Sequence, residues 1–399
     1  MVQPSGQRPL EGIRIADFTW IVAGPQCTRI FADLGADVIR IENESYLDST
    51  RNGTSGMFNN FNRNKRSVTA NIWHPGGREM AERLIARSDA VVENFSAGAF
   101  ERMGFGYDHL REINPNIIYL SLSGFGHEGI DISNITWGPT AQAISGLTGM
   151  SGLPDQPPAG WGFSYLDHTA GYYGAIGLLQ AIYHRKRTGQ GQYIDLAQIE
   201  TGMVMGGVAM LDWQVNGREY TRIGNHSRWP AVAPHAAYRC AGDDRWIAIA
   251  CENDDEWYAL CEVLGADDLA SDPLYASNLG RVQAQDVLDA AITEYTKQWD
   301  TRELMYCLQA RGVPAGTTQH SEDKMEHDAQ LRARNFYPTA SSELWGEHRF
   351  EALPMTFSRT NWELRTPSPA LSEHTQEVMT ELLNYTNGEV EALKSELAV

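Results

Sequence analysis

The sequence is poor in cysteine and has no long hydrophobic run. Its 399 residues include five cysteines, which are widely spaced and form no C-x-x-C pair. This odd number, without His and Cys at zinc-ligand spacing, predicts reduced thiols and no metal site. No segment approaches the roughly 18 to 20 apolar residues of a membrane span, and Met1 to Leu10 lack the basic start and apolar run of a signal peptide. We therefore expect a cytoplasmic protein with no membrane partner.

Basic residues are also scarce. Lysine and arginine together number 32 against 51 aspartates and glutamates, so the net charge is −19. A nucleic-acid-binding surface would have to work against this negative field, so we expect no nucleic-acid partner. The motifs G-x-x-x-x-G-K-[ST], H-E-x-x-H and G-x-S-x-G do not occur. Their absence excludes the P-loop, zincin and hydrolase-elbow families that depend on them.

The remaining pattern favours an α/β protein. From Leu10, short β-branched runs alternate with helical patterns, and these runs are apolar on both faces, as parallel strands between two helix layers are. We predict a Rossmann-like large domain over residues 1–216. The strand candidates are Ile13 to Phe18, Asp37 to Ile41, Ala90 to Phe95, Ile117 to Leu122 and Tyr193 to Leu196, and the first helical patterns are Gln26 to Leu34 and Arg78 to Arg87.

The second half of the chain has a different pattern. A loosely patterned stretch with glycine and proline predicts a linker at residues 217–234. A strand at Trp246 to Cys251 and several helical patterns then predict a small α+β domain over residues 235–330. Ser372 to Leu397 has the pattern of one long amphipathic helix, which needs a surface to dock against.

Asp167 is the strongest candidate for a catalytic residue. It lies at the start of a predicted helix that ends at Arg185, just after a Gly/Pro-rich loop at Gly152 to Gly162. One interpretation is an N-cap aspartate, whose side chain accepts a free backbone N–H of the first turn. The other is a nucleophile, because the positive end of a helix favours an ionised carboxylate in an apolar pocket. The two roles are compatible.

A literal G-x-G-x-x-G runs from Gly124 to Gly129. The residues after it do not open as an amphipathic helix, and the motif ends the strand series instead of starting it. We therefore favour a glycine loop that shapes a cleft over a dinucleotide site. On this loop, His127 and Glu128 are either an acid/base pair or solvated surface residues.

A basic cluster lies at Arg63, Lys65 and Arg66. These residues could grip a phosphate group, or they could form a solvated turn. The sequence alone does not separate the two.

Six blocks of sequence, in order, resemble the class III CoA-transferases, the family of formyl-CoA:oxalate and carnitine CoA-transferases and α-methylacyl-CoA racemases. The blocks are Leu10 to Arg14 with Ala23 to Pro25, Leu34 to Glu42, Asn64 to Ser67, Val92 to Phe95 with Arg102 to Gly104, Ser123 to Gly126, and Thr188 to Gln192. The resemblance covers most of the chain.

The resemblance implies that Asp167 is a nucleophile that attacks an acyl-CoA thioester. An aspartyl anhydride and free CoA thiolate would form, and the thiolate would then give an aspartyl-CoA thioester. An acceptor carboxylate would take the CoA through a second anhydride. Coenzyme A and its acyl esters are then substrates, and no metal is required.

The same resemblance assigns binding positions. The main chain of Ile21, Val22 and Ala23 would form the wall over the pantetheine and thioester. Lys65 or Arg66 would face the CoA phosphates, and Asn94, Phe95 and Arg102 match other CoA-contacting positions. The expected substrate pocket comprises Gly126, His127, Trp137, Trp161 and Tyr165.

Departures from the family pattern narrow the reaction. The racemases carry a histidine near the position of Trp137, which this sequence lacks, so racemisation would lose one of its two bases. The aromatic residues around the predicted cleft favour a bulky or aromatic acid, although they could equally pack a domain interface. The run Phe18 to Pro25 is similar to succinyl-CoA:benzylsuccinate-type transferases. The alternatives are an acyl-CoA racemase or isomerase, and a CoA-binding subunit of a heteromeric transferase.

The resemblance also implies the assembly. Family members have a segment that returns to the large domain, here residues 331–399 with the C-terminal helix. Two such chains form interlocked rings. We expect a homodimer, or a heterodimer with a related subunit.

Overall fold

The structure, a computed structural model, describes residues 8–51, 56–344 and 346–399. The internal contacts divide the chain into two compact units. The main unit comprises Met1–Gly149, Gly160–Arg218 and Gln330–Val399, and the second unit comprises Met150–Ala159 and Glu219–Ala329. Residues 1–7 and 52–55 of the predicted large domain, and residue 345 of the predicted return segment, lie outside the described residues.

A six-stranded, all-parallel sheet forms the centre of the main unit. The strands follow the order β3-β2-β1-β4-β5-β6, so the chain reverses its direction of travel across the sheet between β1 and β4. This confirms the predicted mixed α/β fold with a parallel sheet. The strands are β1 (Arg14–Asp17), β2 (Asp37–Glu42), β3 (Arg66–Thr69), β4 (Ala90–Glu93), β5 (Ile118–Ser123) and β6 (Tyr193–Ala197).

Helices surround this sheet. In chain order they are α1 (Ala23–Asp33), α2 (Gly56–Asn62), α3 (Pro75–Ala86), α4 (Ala99–Arg102), α5 (Tyr107–Ile113), α6 (Gly138–Ile144), α7 (Leu147–Met150), α8 (Tyr165–Thr188), α9 (Gln198–Met205) and α10 (Gly207–Asn216). In the described ranges, no helix is long and apolar enough to cross a membrane.

Two apolar cores lie against the sheet. One contains Leu84, Phe100 and Val378, and the other contains Phe31 and Leu178. Because both faces are covered, the strands need apolar residues at successive positions, which explains the continuous β-branched runs in the sequence.

Helices α1 and α8 approach each other closely in the second core. A methyl group added at Gly171 of α8 would lie 2.7 Å from Cγ of Gln26 in α1. Only glycine fits at this contact, so the small-residue face of α8 brings it against α1.

The second unit is built on an antiparallel sheet of β7 (His235–Arg239), β8 (Trp246–Ala250) and β9 (Ala315–Thr317). Trp257, Leu260 and Ile292 belong to its buried core. Its helices are α11 (Asp254–Leu264), α12 (Asp267–Ser271), α13 (Asn278–Gln283), α14 (Gln285–Thr296) and α15 (Thr301–Ala310), followed at its boundary by α16 (Ala329–Ala333).

Residues 150–159, placed by the sequence in the large domain, group instead with the second unit. The Arg222 guanidinium donates to the carbonyl oxygen of Gln156 at 2.8 Å. In addition, Leu153 lies beside Gly224. These contacts tie most of the Gly/Pro-rich loop to the chain after residue 218.

The C-terminal segment is not one long helix, contrary to the sequence pattern. After a hairpin of β10 (Thr339–Ser342) and β11 (Gly346–Arg349), it forms α17 (Thr375–Glu377), a π turn at Val378–Leu382 and α18 (Asn387–Ser395). Asn384 adopts a φ of 60°, which a helix cannot continue through. Thr386 and Glu389 then cap α18 reciprocally.

Candidate active site

The main unit carries a pocket of about 200 Å³ at one edge of its sheet. The segments after β1, β4 and β5 contribute to it, together with the loop before α6 and the first turns of α8 and α9. It is the switch point at which open α/β sheets bind ligands, because the strand order reverses between β1 and β4. Residues 21–23, 94–96, 122–124 and 134–137 line it with Asp167, Ala170 and Gln198.

The pocket brings together seven residues that the sequence analysis selected: Ile21, Val22, Ala23, Asn94, Phe95, Trp137 and Asp167. They come from separate stretches of the chain. Their meeting follows from the parallel sheet, whose strand ends place the following segments at one edge.

Asp167 is the third residue of α8, and the residue in the N-cap position is Ser164. The N-cap interpretation of Asp167 is therefore wrong by position, since the helix begins two residues earlier than predicted. Its carboxylate still lies in the first turn, where the free N–H groups favour a negative charge.

The Asp167 carboxylate is held by several donors. Gln198 Nε2 donates to Asp167 Oδ1 at 2.5 Å. The Ser164 side chain and the backbone N–H of Gly138 are also hydrogen-bonded to it. Burial raises the pKa of the Asp167 carboxyl above its ordinary value, while these three hydrogen bonds act to lower it. The arrangement keeps an ionisable carboxylate in a partly desolvated pocket.

Gln198 is a site residue that the sequence analysis missed. It is buried and is the first residue of α9, directly after β6. Its position was open to prediction, because residues that follow parallel strands gather at the same sheet edge. The sequence carries no other signal for it.

Ile21 forms part of the pocket wall in a strained conformation. Its φ is 65°, a left-handed value that is unfavourable for a β-branched residue. The N–H of Ile21 donates to Asp48 Oδ2 at 2.9 Å, and Arg40 donates to the same oxygen at 2.8 Å. The wall is thus fixed from behind by a buried ion pair.

Asn94 holds the same wall from the other side. Its Oδ1 accepts the backbone N–H of Trp20 at 2.7 Å, and its Nδ2 donates to the carbonyl oxygen of Trp20 at 3.0 Å. Asn94 therefore has a structural role in the loop after β1 in addition to lining the pocket.

Glu93, at the end of β4, supports the adjoining segment. It is buried, accepts the backbone N–H of Phe95 at 2.7 Å, and accepts the Tyr119 hydroxyl at 2.9 Å. Burial raises the pKa of Glu93 to about 7. This carboxyl fixes Phe95 but lies outside the pocket lining.

The basic cluster does not form a phosphate-binding surface, and it is not a solvated turn. Lys65 is buried, and its ammonium donates to Asp17 at 3.0 Å and to the Thr28 hydroxyl at 2.8 Å. Arg63 is buried in a two-bond pair with Asp33.

Arg66 is likewise engaged, in ion pairs with Asp37 and Glu377. The structure therefore does not bring Lys65 or Arg66 into the pocket of Asp167. The positive charge of Lys65 neutralises a buried carboxylate, and that of Arg66 neutralises two partly exposed ones.

The remaining predicted site residues lie outside the pocket lining. His127 bonds to the Ser121 hydroxyl at 2.7 Å through Nε2, and its neighbour Gly126 packs against Asp195. The rings of Trp161 and Tyr165 contact each other edge to face at 5.3 Å. Arg102 is exposed and forms no ion pair with any residue in the described ranges.

The pocket lining contains no lysine, arginine or histidine. Among the described lining residues, Asp167 is the only ionisable side chain, and the others are apolar or aromatic groups such as Phe95 and Trp137, and uncharged polar groups such as Asn94 and Thr136. Within the described parts of the chain, no group of three or more His, Cys, Asp or Glu side chains could hold a metal ion.

Residues 10–375 match CoA-transferase family III. The chain belongs to this family and is a class III CoA-transferase, an enzyme that uses acyl-CoA as a substrate. This confirms the resemblance and the enzyme class predicted from the sequence.

Two relatives align over nearly their whole lengths. The succinyl-CoA–D-citramalate CoA-transferase of Chloroflexus aurantiacus is 30% identical over 98% of this chain and 98% of its own. The succinate–glutarate CoA-transferase of Agrobacterium fabrum is 31% identical over 95% of this chain and 97% of its own.

A solved structure agrees with the fold. A CAIB/BAIF family protein from Brucella suis superimposes with a TM-score of 0.87 and 33% identity, over 94% of this chain and all of that one (100%).

Proposed function

We propose that the protein moves CoA from succinyl-CoA to a carboxylic acid, with Asp167 as the covalent carrier. The Asp167 carboxylate attacks the thioester carbonyl carbon, the C–S bond breaks, and CoA leaves as a thiolate. The thiolate attacks the aspartyl carbon of the anhydride, which releases the donor acid and leaves an aspartyl-CoA thioester. The acceptor carboxylate then attacks the aspartyl-CoA thioester, which gives a second anhydride and releases the thiolate. The thiolate attacks the acceptor acyl carbon, so the acceptor leaves as its CoA ester and Asp167 is restored.

One observation carries this proposal: Asp167 is the only ionisable side chain in a pocket at the sheet switch point. Burial and the hydrogen bonds to its carboxylate suit a group that alternates between an anion and neutral acyl forms. A partly closed, apolar wall also protects anhydrides and thioesters from water.

The lining supports a bulky acceptor acid. Ile21, Phe95 and Trp137 offer apolar and aromatic contact, which suits an aromatic succinate such as benzylsuccinate. The two named relatives act on citramalate and glutarate, which are carboxylic acids, as is benzylsuccinate. A carboxylic acid acceptor therefore agrees with all three compounds. Racemisation is disfavoured, because Trp137 replaces the second base and no histidine lines the pocket.

We also propose an interlocked dimer, with a second copy or a related subunit. The face of α8 away from the sheet exposes Tyr172, Ile176, Leu179 and Tyr183, while its opposite face is buried. A helix that is apolar all round normally has a partner on each side. Residues 1–216, apart from residues 150–159, would be the CoA-binding domain, residues 235–330 the small domain, and residues 331–399 the return segment.

The test is a trapping experiment. The protein is incubated with succinyl-CoA, treated with hydroxylamine or borohydride, digested and analysed by peptide mass spectrometry. We expect a mass change at Asp167 that requires the CoA ester. Unmodified Asp167 with succinyl-CoA and with a panel of other CoA esters would sink the proposed mechanism.

A further inference from the structure

The Asp167 carboxylate accepts a hydrogen bond from the side-chain amide of Gln198, a donor that could act during the reaction as well as in the resting enzyme. Gln198 Nε2 lies 2.5 Å from Asp167 Oδ1. Both residues line the pocket, and Gln198 is only 7% exposed. The donor is therefore built into the wall beside the atom at which the proposed reaction occurs.

The orientation of the Gln198 amide is fixed by its neighbours. An ionised carboxylate can only accept hydrogen bonds, so the amide NH₂ must face Asp167. On the other side, Gln198 Oε1 accepts the hydroxyl of Thr136 at 3.3 Å. The amide bridges the loop before α6 to the first turn of α8.

We propose that Gln198 is a catalytic residue that stabilises the oxyanion formed on Asp167 Oδ1. This inference rests on the proposed function of Asp167. In this proposal, Oδ1 stays bound to the amide N–H of Gln198, and the other carboxylate oxygen, Oδ2, attacks the acyl-CoA. Oδ1 thereby becomes the carbonyl oxygen of the anhydride.

The donor then acts when the CoA thiolate attacks the aspartyl carbon. A C–S bond forms, the electron pair of the carbonyl bond moves onto Oδ1, and the N–H of Gln198 meets the developing negative charge. When the pair returns, the C–O bond to the donor acyl group breaks, and the donor acid leaves as a carboxylate. The same oxyanion forms on Oδ1 when the acceptor carboxylate attacks the aspartyl-CoA thioester, whereas attack on the donor or acceptor acyl carbon places the charge on a substrate oxygen.

The electrostatic surroundings of Asp167 are simple. His168, on the same helix, is the titratable group that acts on it, and burial lowers the pKa of that imidazole. The groups that face Asp167 from α6 and α9 are the uncharged Gly138 and Gln198. A change at Gln198 should therefore appear directly in the pH dependence of Asp167.

The experiment measures the rate at which succinyl-CoA labels Asp167 as the aspartyl-CoA thioester, as a function of pH, in three proteins besides the wild type. Gln198→Met keeps the size of the side chain and removes the donor. Gln198→Glu replaces the amide with a second carboxyl group. Gln142→Met is the control, because Gln142 is another buried glutamine of the main unit, and its Nε2 has no partner among the described residues.

We expect Gln198→Met to slow labelling by about 10²- to 10³-fold, the effect of losing one oxyanion donor. Its acid limb should move to higher pH, since a hydrogen bond to the charged form has been removed. In Gln198→Glu, two carboxyls share one proton, so the profile should become bell-shaped, with loss of rate once the proton is gone. The Gln142→Met profile should match the wild type.

Wild-type rate and pH profile in Gln198→Met would overturn the inference while leaving the proposed function intact. Absence of label in the wild type would overturn both. If Gln198→Met loses its fold by circular dichroism, Gln198→Glu decides: a rate reduced equally at every pH, without a bell shape, rejects the donor role.

Discussion

At the scale of single residues, Asp167 balances two opposed influences. Burial favours its protonated form, while three hydrogen bonds favour the anion. A nucleophile needs the anion, but a well-solvated anion would be unreactive. The pocket holds the carboxylate partly desolvated and beside several fixed donors.

Asp167→Ala removes the proposed nucleophile while leaving the pocket wall in place. We expect CoA exchange to fall by at least about 10⁴-fold, as when the reactive group of a covalent enzyme is deleted. Calorimetric binding of CoA and the circular dichroism spectrum should stay close to wild type. Retention of exchange in a variant that binds CoA normally would refute the assignment.

Glu93 gives a prediction about pH. Burial raises its pKa from the ordinary 4.5 to about 7, so the folded state holds a proton that the unfolded chain releases. This contribution to stability is complete below about pH 4.5 and disappears as the pH rises through 7, a difference of about 3 kcal/mol. Glu93→Gln lacks the titration.

The thermal midpoint of Glu93→Gln, relative to wild type, should therefore rise between pH 5 and pH 8. Glu44→Gln, an exposed carboxylate change that does not act on Glu93, serves as the control and should show a smaller dependence. A constant difference between Glu93→Gln and wild type across this pH range would contradict the buried-carboxyl explanation.

At the scale of elements, the start of α6 must approach the first turn of α8 closely. A methyl group at Gly138 would lie 2.4 Å from Asp167 Oδ2 and 2.9 Å from Cα of Ser164. Gly138→Ala should therefore displace the carboxylate, and we expect kcat to fall by about 10²-fold from misplacement alone.

Gly149→Ala is the matched control for this change, since an added methyl there meets no atom within 4 Å. It should exchange CoA at the wild-type rate. Equal activities for the two alanine variants in a steady-state assay would show that the close contact at Gly138 does not matter for catalysis.

The loop after β1 depends on the pair of Arg40 and Asp48. In Asp48→Ala, the strained Ile21 loses its partner and Arg40 loses one of its carboxylates, with an expected loss of about 3 kcal/mol of stability. Because Ile21 lines the pocket, KM for acyl-CoA should rise more than kcat falls.

Asp37→Ala is the comparison for Asp48→Ala. Asp37 pairs with Arg14 and Arg66 in a partly exposed position, where loss of the pairs costs about 1 kcal/mol or less. Its KM should not change. If KM is also unchanged in Asp48→Ala, the strained conformation of Ile21 does not contribute to substrate binding.

Elements also explain what the sequence could and could not predict. Five of the six strands of the parallel sheet carry apolar runs and were predictable. The exception is β3, whose four residues Arg66–Thr69 are too few and too polar to stand out. Its place beside β2 is fixed by long-range pairing, for which the local pattern has no signal.

The same limit applies to the site. Residues next to strand ends, such as Ile21 and Asn94, could be placed together from the topology of a parallel sheet. Lys65 could not, because a buried lysine paired with Asp17 has the same local sequence signal as a surface one. The place of Gln198 at this edge was open to prediction because it follows β6, but its contact with Asp167 was not.

At the scale of the whole chain, a few basic residues are buried where they neutralise internal charge. Arg29, Arg40, Arg63 and Lys65 are buried, each beside a carboxylate. The described lining of the Asp167 pocket contains no lysine or arginine. We propose that exposed residues such as Arg102, or a second chain, meet the anionic groups of CoA.

A second exposed apolar face, on α10, gives the last prediction, which concerns the proposed dimer. On α10, Val208, Leu211 and Val215 are 77%, 60% and 77% exposed, and their spacing places them on one stripe of the helix. Burial of such a stripe against a second copy would remove this apolar surface from water. Light scattering at micromolar concentration should give twice the 44.4 kDa mass of one chain.

Val208→Lys with Val215→Lys should shift the mass toward one chain, whereas Val287→Lys, on an exposed position of the second unit, should not. A wild-type mass of 44.4 kDa would contradict the dimer, and a double variant that keeps the doubled mass would place the interface away from α10.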